Sequence, residues 1–375
     1  MQEAELLTEA TGHIGRLVSR EAAGEGAIAG FIVEDGDQTI TLYVDTSQRQ
    51  VATETGLALP NEAGNGVAAR IWMHPADPYL PALGAASFRD SISVLLDRMG
   101  EPRPLDSAVV AYRPGKRAVV RLSGERATHY LKVVRPSCAE QVWQLHRLLR
   151  EHGLPVPEVT AWSPEGLLVI DAALGDAGPE VAARVPDAAA AERLIAELTV
   201  LRSQLARVPF TNLARASLAQ RSEWYFDRLA DAGAEDEVRL LRRLAASWKP
   251  RHAPVGVHGD LHLGQLFFDN HDLSGLIDVD TSGLGDPADD AAAFIGHALV
   301  SAVMNDASGK RDFAAGLMRI TEAAFDAWAT DDQSRALTAV HLAAHAGGAL
   351  ELGDRARTQR VLASAAALLD RGDAR

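Results

Sequence analysis

Residues 257–290, VHGDLHLGQLFFDNHDLSGLIDVDTSGLGDPADD, constrain the fold more than any other part of the chain. Two apolar runs, QLFF and GLIDVD, flank the turn-forming DNHDLS and predict a hairpin, so many acids are held on little backbone. DNHD at 269–272 reads as a surface turn, because Asp and Asn tolerate tight backbone there. In GDPADD, Asp286 before Pro287 reads as the N-cap of a following helix, with Asp290 in its first turn serving the helix dipole.

The patterns around this stretch change sharply along the chain. SAVVAYRP, RAVVRLSG and ATHYLKVV are short β-branched runs separated by Pro-Gly and Ser-Gly turns, followed by the helical CAEQVWQLHRLLREHG and then, after LPVPEV, by the strand GLLVID. This order predicts a small sheet with one helix packed on it. From about Gly175 onward the chain is mostly helical apart from the hairpin, and the boundaries predicted are 1–102, 103–174 and 175–375. In the first segment, apolar spacing over 4–19 predicts a helix, GAIAGFIVEDGDQTITLYVDT two strands about an Asp-Gly turn, GVAARIWMH a strand, and ASFRDSISVLLDRM a helix. No chemical constellation stands out there.

Charge and cysteine content narrow the partners. With 37 basic and 51 acidic side chains the net charge is −14, which disfavours nonspecific attraction to nucleic acid or an anionic membrane and suits a neutral or cationic small partner. The single cysteine, Cys138, excludes an internal disulfide and a thiolate cluster. The start MQEAELLTEA lacks the basic and apolar parts of a signal peptide, and the most apolar window, AAAFIGHALVSAVM, is too short to span a bilayer, so a cytoplasmic protein is expected.

The order of the acids matches a phosphoryl-transfer site. Such sites in kinases use an H-R-D Asp, an Asn five positions on, and a second Asp after the next strand. Here His258-Gly259-Asp260 is followed at that distance by Gln265, and Asp278 closes the predicted strand. An acceptor hydroxyl must lose its proton as it attacks, which makes Asp260 the candidate base. The charge of a triphosphate requires a divalent cation, and hard cations take oxygen donors such as the Asp278 carboxylate and the Gln265 carbonyl. Asp280, two residues on, is expected on the same side of the strand as Asp278, where it adds a water-mediated ligand. A rival reading takes His258, Asp260 and His262 as an H-x-D-x-H zinc cluster of a hydrolase, because alternate residues of a strand face one way.

HGDLHLGQ, LIDVDTSGLGDPADDAA, the upstream YLKVV and LPVPEV together resemble the aminoglycoside phosphotransferase and choline kinase-like family, over about residues 106–375. The resemblance implies an α+β, protein-kinase-like two-lobe fold, with a small β-rich N-lobe and a larger helical C-lobe, preceded here by an N-terminal α/β cap segment. It implies ATP and Mg as cofactors, Asp260 as the base, and Gln265 and Asp278 as magnesium ligands. Lys132 would pair with the α- and β-phosphates, its alternative being a solvated edge-strand lysine. Glu140, or more weakly Glu151, would hold that lysine. Backbone groups from Asp171 to Ala173 would read adenine, while His258 and Asp290 would support the loop, Asp290 by bracing its backbone.

Two departures bear on the substrate. The family usually has Asn where this chain has Gln265; a Gln in HGDLHLGQ is similar to the maltokinase-like branch, which carries an N-terminal cap, whereas DVDTSGLGDP looks like the aminoglycoside phosphotransferase branch. No G-x-G-x-x-G loop is present, and YRPGKRAVV offers Gly115 with Arg113, Lys116 and Arg117, either as a phosphate cover or as an ordinary hairpin turn. The functions that follow are an ATP- and Mg-dependent kinase of an aminoglycoside, amino sugar or sugar, and, of another class, a nucleotide-binding pseudokinase acting as an interaction module. Thr330 to Asp332, Glu351 and Asp354 are candidate contacts for a cationic acceptor or solvated helix-end charges.

Overall fold

The computed structural model describes residues 2–370, apart from 62–63, 65, 101–105, 125–126, 217–221, 232, 234, 236–237, 240, 243–252, 329–331 and 352. The boundary expected at 102/103 and Thr330 and Asp331 lie outside the described residues. The chain forms two compact units, Met1–Gln144 with Glu158–Ala172, and Leu145–Pro157 with Ala173–Arg375.

Two five-stranded antiparallel sheets build the first unit. β1 (Arg16–Ala23), β2 (Gly26–Asp35), β3 (Gln38–Asp45), β4 (Leu57–Pro60) and β5 (Val67–Met73) run in the order β1-β2-β3-β5-β4. β6 (Asp106–Arg113), β7 (Arg117–Ser123), β8 (Thr128–Val134), β9 (Val159–Ser163) and β10 (Leu167–Asp171) run in the order β6-β7-β8-β10-β9. Successive side chains point to opposite faces, and this alternation decides the layers. Phe31, Val33 and Val44 of the first sheet pack with Leu7 of α1 (Gln2–Thr11), while Ile28, Tyr43 and Trp72 face the other way. There they share one core with Val120, Leu122, Leu131, Val133 and Val169 of the second sheet, closed by α2 (Leu83–Ser87) and α3 (Arg89–Met99). The far face of the second sheet, with Val134, Leu168 and Ile170, is covered by Ala139 and Val142 of α4 (Pro136–Glu151).

The helix expected over 4–19 is corrected: α1 stops at Thr11 and the chain resumes as β1 at Arg16. The apolar residues Leu6 and Leu7 belong to a helix and Leu17 to a strand, yet all pack into one cluster, so their spacing imitates a single helical face.

The β6–β7 turn has the geometry of the ordinary hairpin turn expected, Lys116 donating its N–H to the Arg113 carbonyl at 3.0 Å across Gly115 at φ +66°, but its basic side chains are not simply solvated. Gly115 donates its N–H to the Asp77 carboxylate at 2.7 Å, Tyr112 donates its hydroxyl to the same oxygen at 2.8 Å, and Arg135 donates to the Gly115 carbonyl at 2.9 Å. Arg113 and Lys116 both pair with Glu21 of β1. The turn is therefore bound by the first sheet, and two of the basic side chains suggested as a phosphate cover are already engaged. Burial works to raise the Glu21 carboxyl, but the hydrogen bonds from Arg113 and Lys116 outweigh it and hold the group below its ordinary value.

Helices dominate the second unit. β11 (Asp176–Ala177) leads to α5 (Gly178–Ala182), α6 (Ala188–Leu205) and α7 (Glu223–Asp231), then to β12 (Val255–Val257), β13 (Leu266–Asp269), β14 (Asp272–Leu276) and β15 (Gly283–Gly285). α8 (Pro287–Ala307), α9 (Arg311–Trp328), α10 (Asp332–Glu351) and α11 (Arg355–Asp370) follow. β11, β13 and β14 form one small sheet, and β12 pairs with β15. α6, α8 and α9 pack through Leu194, Leu198, Phe294, Leu317 and Ile320, and α7, α10 and α11 through Phe226, Leu229, Val340, Ala343 and Val361. Among the described residues no helix is long and apolar enough to cross a membrane.

The predicted strand GLIDVD is shorter than expected. β14 ends at Leu276, Asp278 adopts the left-handed conformation (φ 59°, ψ 39°), and Val279–Thr281 form a one-turn 3-10 helix. A left-handed residue ends an extended run, so Asp280 does not share a strand face with Asp278 as the alternation predicted.

Candidate active site

The loop from His258 to Gln265 leaves β12 and is held by its backbone. Asp290, in the first turn of α8 and 2% exposed, accepts the N–H of His258 at 2.7 Å and that of Gly259 at 2.8 Å. α8 starts there because Asp286 caps it, accepting from the N–H of Ala288 at 2.9 Å, and Pro287 occupies the first turn. Gly259 has φ +82°, and a Cβ on it would lie 2.4 Å from the Thr281 carbonyl oxygen, so only glycine fits. Thr281 in turn donates its hydroxyl to the His258 carbonyl at 2.8 Å.

His258 is fully buried, and its Nε2 lies 3.1 Å from the Ile277 carbonyl oxygen, which can only accept, so the proton sits on Nε2. Ile277 donates its N–H to the carbonyl of Gln265 at 2.9 Å. These two bonds bring the end of the loop beside Asp278. Gln265 is 3% exposed and closes a capping box, its side-chain oxygen accepting from the N–H of His262 at 3.2 Å while His262 Nδ1 accepts from Gly264.

Asp260 is reachable from solvent, its side chain 34% exposed, with Arg215 Nη1 3.4 Å from its Oδ2. Arg215 escaped the sequence reading. It sits far upstream in LARAS, and a bond from its N–H to the Thr281 carbonyl brings it to the loop. Beside Asp260, the ring of His262 stacks on that of His297 (centroids 4.5 Å apart), which meets His345 edge-on at 4.4 Å. Burial depresses the basicity of His262; nearby Asp260 opposes it without prevailing.

His258, Asp260 and His262 do not assemble as a zinc cluster: Nε2 of His258 is given to a carbonyl, and among the described residues no group of three His, Cys, Asp or Glu side chains is placed to hold a metal ion. A cavity of about 880 Å³ lies elsewhere in the second unit, lined by Asp176, Arg184, Arg193, Glu197 and Asp269 among others, and none of the candidate residues lines it.

In the first unit, Lys132 lies on β8, between β7 and β10, opposite Val119 and Leu168, and is 5% exposed. The solvated edge-strand alternative is excluded. It shares a face with Val134, Leu168 and Ile170, the face that α4 covers. Glu140 is exposed on α4, its carboxylate accepting from Gln144 at 3.1 Å, and Glu151 pairs with Arg147. Asp171 ends β10; its side chain lies 3.2 Å from His129 Nδ1 and its N–H is donated to the Glu158 carbonyl at 3.0 Å. Ala173 begins the longer segment of the second unit.

An acid on a backbone-pinned loop is followed by a carboxamide and a second acid brought together through Ile277, in the order that phosphoryl-transfer sites use. Residues 112–329 match the phosphotransferase enzyme family (APH), more than half of the chain, and the chain belongs to that family. It is a small-molecule kinase by class. Among solved structures it is similar to a thermostable mutant of aminoglycoside phosphotransferase APH(4)-Ia in its apo form, with TM-score 0.54, 12% identity, and 76% of this chain and 100% of that one covered. A ternary complex of that enzyme with AMP-PNP and hygromycin B gives TM-score 0.53 at 13% identity, covering 77% and 100%. At these identities the likeness is one of fold, α+β and protein-kinase-like. No curated protein sequence matches the chain.

Proposed function

We propose that the protein transfers the γ-phosphoryl group of ATP to a hydroxyl of a small polyhydroxylated acceptor, a sugar, amino sugar or aminoglycoside. The observation that carries this reading is the backbone pinning of the 258–265 loop, which fixes Asp260 and Gln265 relative to Asp278 through Asp290 and Ile277. Use of ATP fits a cytoplasmic protein. In functional terms, residues 1–102 form a cap, 103–174 the nucleotide-binding segment, and 175–375 the catalytic segment.

Asp260 accepts the proton of the acceptor hydroxyl, and Arg215 holds one carboxylate oxygen so that the group keeps one orientation. The Gln265 amide oxygen and the Asp278 carboxylate are hard donors whose chemistry fits magnesium, with Asp280 contributing from the following turn. When bound, the ion would offset the charge of the phosphate oxygens. Lys132 pairs with the α- and β-phosphates, with Glu140 as its partner from α4, and the buried place of that amine in a central strand supports the assignment. Backbone groups of Asp171 and Ala173 read the adenine edge. Because the N–H groups of Asp171 and Ala172 are already given to Glu158 and Thr128, the donor on that edge is Ala173.

Full-length protein with ATP, magnesium and a panel of sugars and aminocyclitols tests the reading. Asp260→Asn is expected to lower kcat by at least about 100-fold. Full turnover by that variant would remove Asp260 as the base.

A further inference from the structure

His297 sits on α8 and His345 on α10, away from the loop motif, yet with His262 they form a continuous run of rings beside Asp260. His341, one turn earlier on α10 and 9% exposed, backs the run from inside. The Nδ1 of His262 is used by Gly264. Among the described residues, the ring nitrogens of His297 and His345 have no hydrogen-bond partner in the protein, while both residues keep part of their surface open. On α11, Arg357 carries a buried Nε that also has no partner among the described residues. Buried polar atoms normally find partners, so this run has the composition of a surface completed by a ligand.

We propose that His297 and His345, with Arg357 at the far end, bind the phosphoryl acceptor, reading the hydroxyls of a ring-shaped polyol whose reacting oxygen lies at Asp260. The inference rests on the kinase reading of Asp260 and deepens it. A neutral imidazole offers one N–H and one lone pair, and a hydroxyl both donates and accepts, so the two match without a net charge. Burial, then the neighbouring His345, holds His297 neutral, and burial, then Arg357, depresses His345 to about 4. An ammonium group would meet the Arg357 guanidinium unfavourably. The acceptor face on this run therefore carries hydroxyls, and any amine of the substrate points away from it.

Full-length protein with isotope-labelled histidine, titrated with glucose, glucosamine and 2-deoxystreptamine, tests this by NMR, the His297 and His345 ring signals being assigned from His→Phe variants. Both signals are expected to move with at least one compound. In parallel, His345→Phe and His297→Gln are expected to raise the acceptor KM about tenfold, the worth of one or two lost hydrogen bonds, with the ATP KM unchanged. Ring signals unmoved by a compound that the wild-type protein phosphorylates, or an ATP KM that rises in step with the acceptor KM, overturn the inference. If the wild-type protein phosphorylates none of the three, the kinase reading fails for them, and the ring signals still decide this inference: no movement with any compound overturns it. His345→Gln serves as the second variant if the Phe variant unfolds early.

Discussion

Ile277 donates its N–H to the Gln265 carbonyl at 2.9 Å, so the residue before Asp278 is fixed to the residue that ends the 258–265 loop. With His258 donating to the carbonyl of the same residue, Ile277, the main chain at Gln265 is held beside the main chain that enters Asp278.

Gln265→Asn tests how the side chain uses that position. The shorter amide loses the N–H of His262, at a cost of about 1 kcal/mol of stability. A lower urea midpoint together with a several-fold higher half-saturating magnesium concentration is expected. A variant unchanged in both measurements would detach Gln265 from the site.

Asp290→Ala leaves two backbone N–H groups without an acceptor, the buried one of His258 and the partly buried one of Gly259. Bonds to charged groups are individually strong, so a loss of about 3 kcal/mol in chemical denaturation is expected, with kcat falling as the loop loosens. Asp290→Asn offers one amide oxygen for two donors and should fall between. An Asn variant indistinguishable from wild type would show that one bond suffices.

Glu21 ties the β6–β7 turn to the first sheet, and its carboxyl is held below the ordinary value. The sign follows from linkage: the stabilisation is present above the unfolded-state pKa and is lost as pH falls through the lower folded-state one. Glu21→Gln should remove about 1 kcal/mol at neutral pH, less in high salt, and flatten the acid limb of a stability–pH curve. An acid limb identical in the two proteins would count against the pairing.

His345 titrates near 4 because it is buried, with Arg357 nearby, while Asp260 pulls the other way and His262 and His297 adjoin it. Protons thus bind the unfolded chain more readily. Stability is complete above the ordinary histidine range and declines as pH falls from about 6.5 towards 4, by about 3 kcal/mol for this group. His345→Phe should reduce that decline in thermal melts between pH 7 and about 4. A decline as steep in the variant would assign the effect to other groups.

Much of this was legible in the sequence. The three β-branched runs with Pro-Gly and Ser-Gly turns become β6, β7 and β8, because alternation and turn chemistry are local signals. The acids at 260 and 278 and the Asp286-Pro287 helix start could be read for the same reason. What escaped was set by distance along the chain. Asp77 reaches Gly115 across 38 positions and Glu21 reaches Arg113 across 92, and nothing in either segment announces the other. The left-handed turn at Asp278 was hidden because GLIDVD has only strand-like neighbours. His297 and His345 sit on different helices, so their contact has no sequence period to betray it.

The core shared by Trp72, Ile28 and Leu83 with Val120, Leu131 and Val133 bears on how the molecule is handled. A fragment trimmed to the part that matches the family, residues 112–329, would strip β6 of most of its length and lay bare the apolar face of the sheet that carries Lys132. Such a truncated protein is expected to aggregate rather than report on the enzyme. Evolutionary loss of the leading segment would require the exposed valines and leucines to turn polar at the same time.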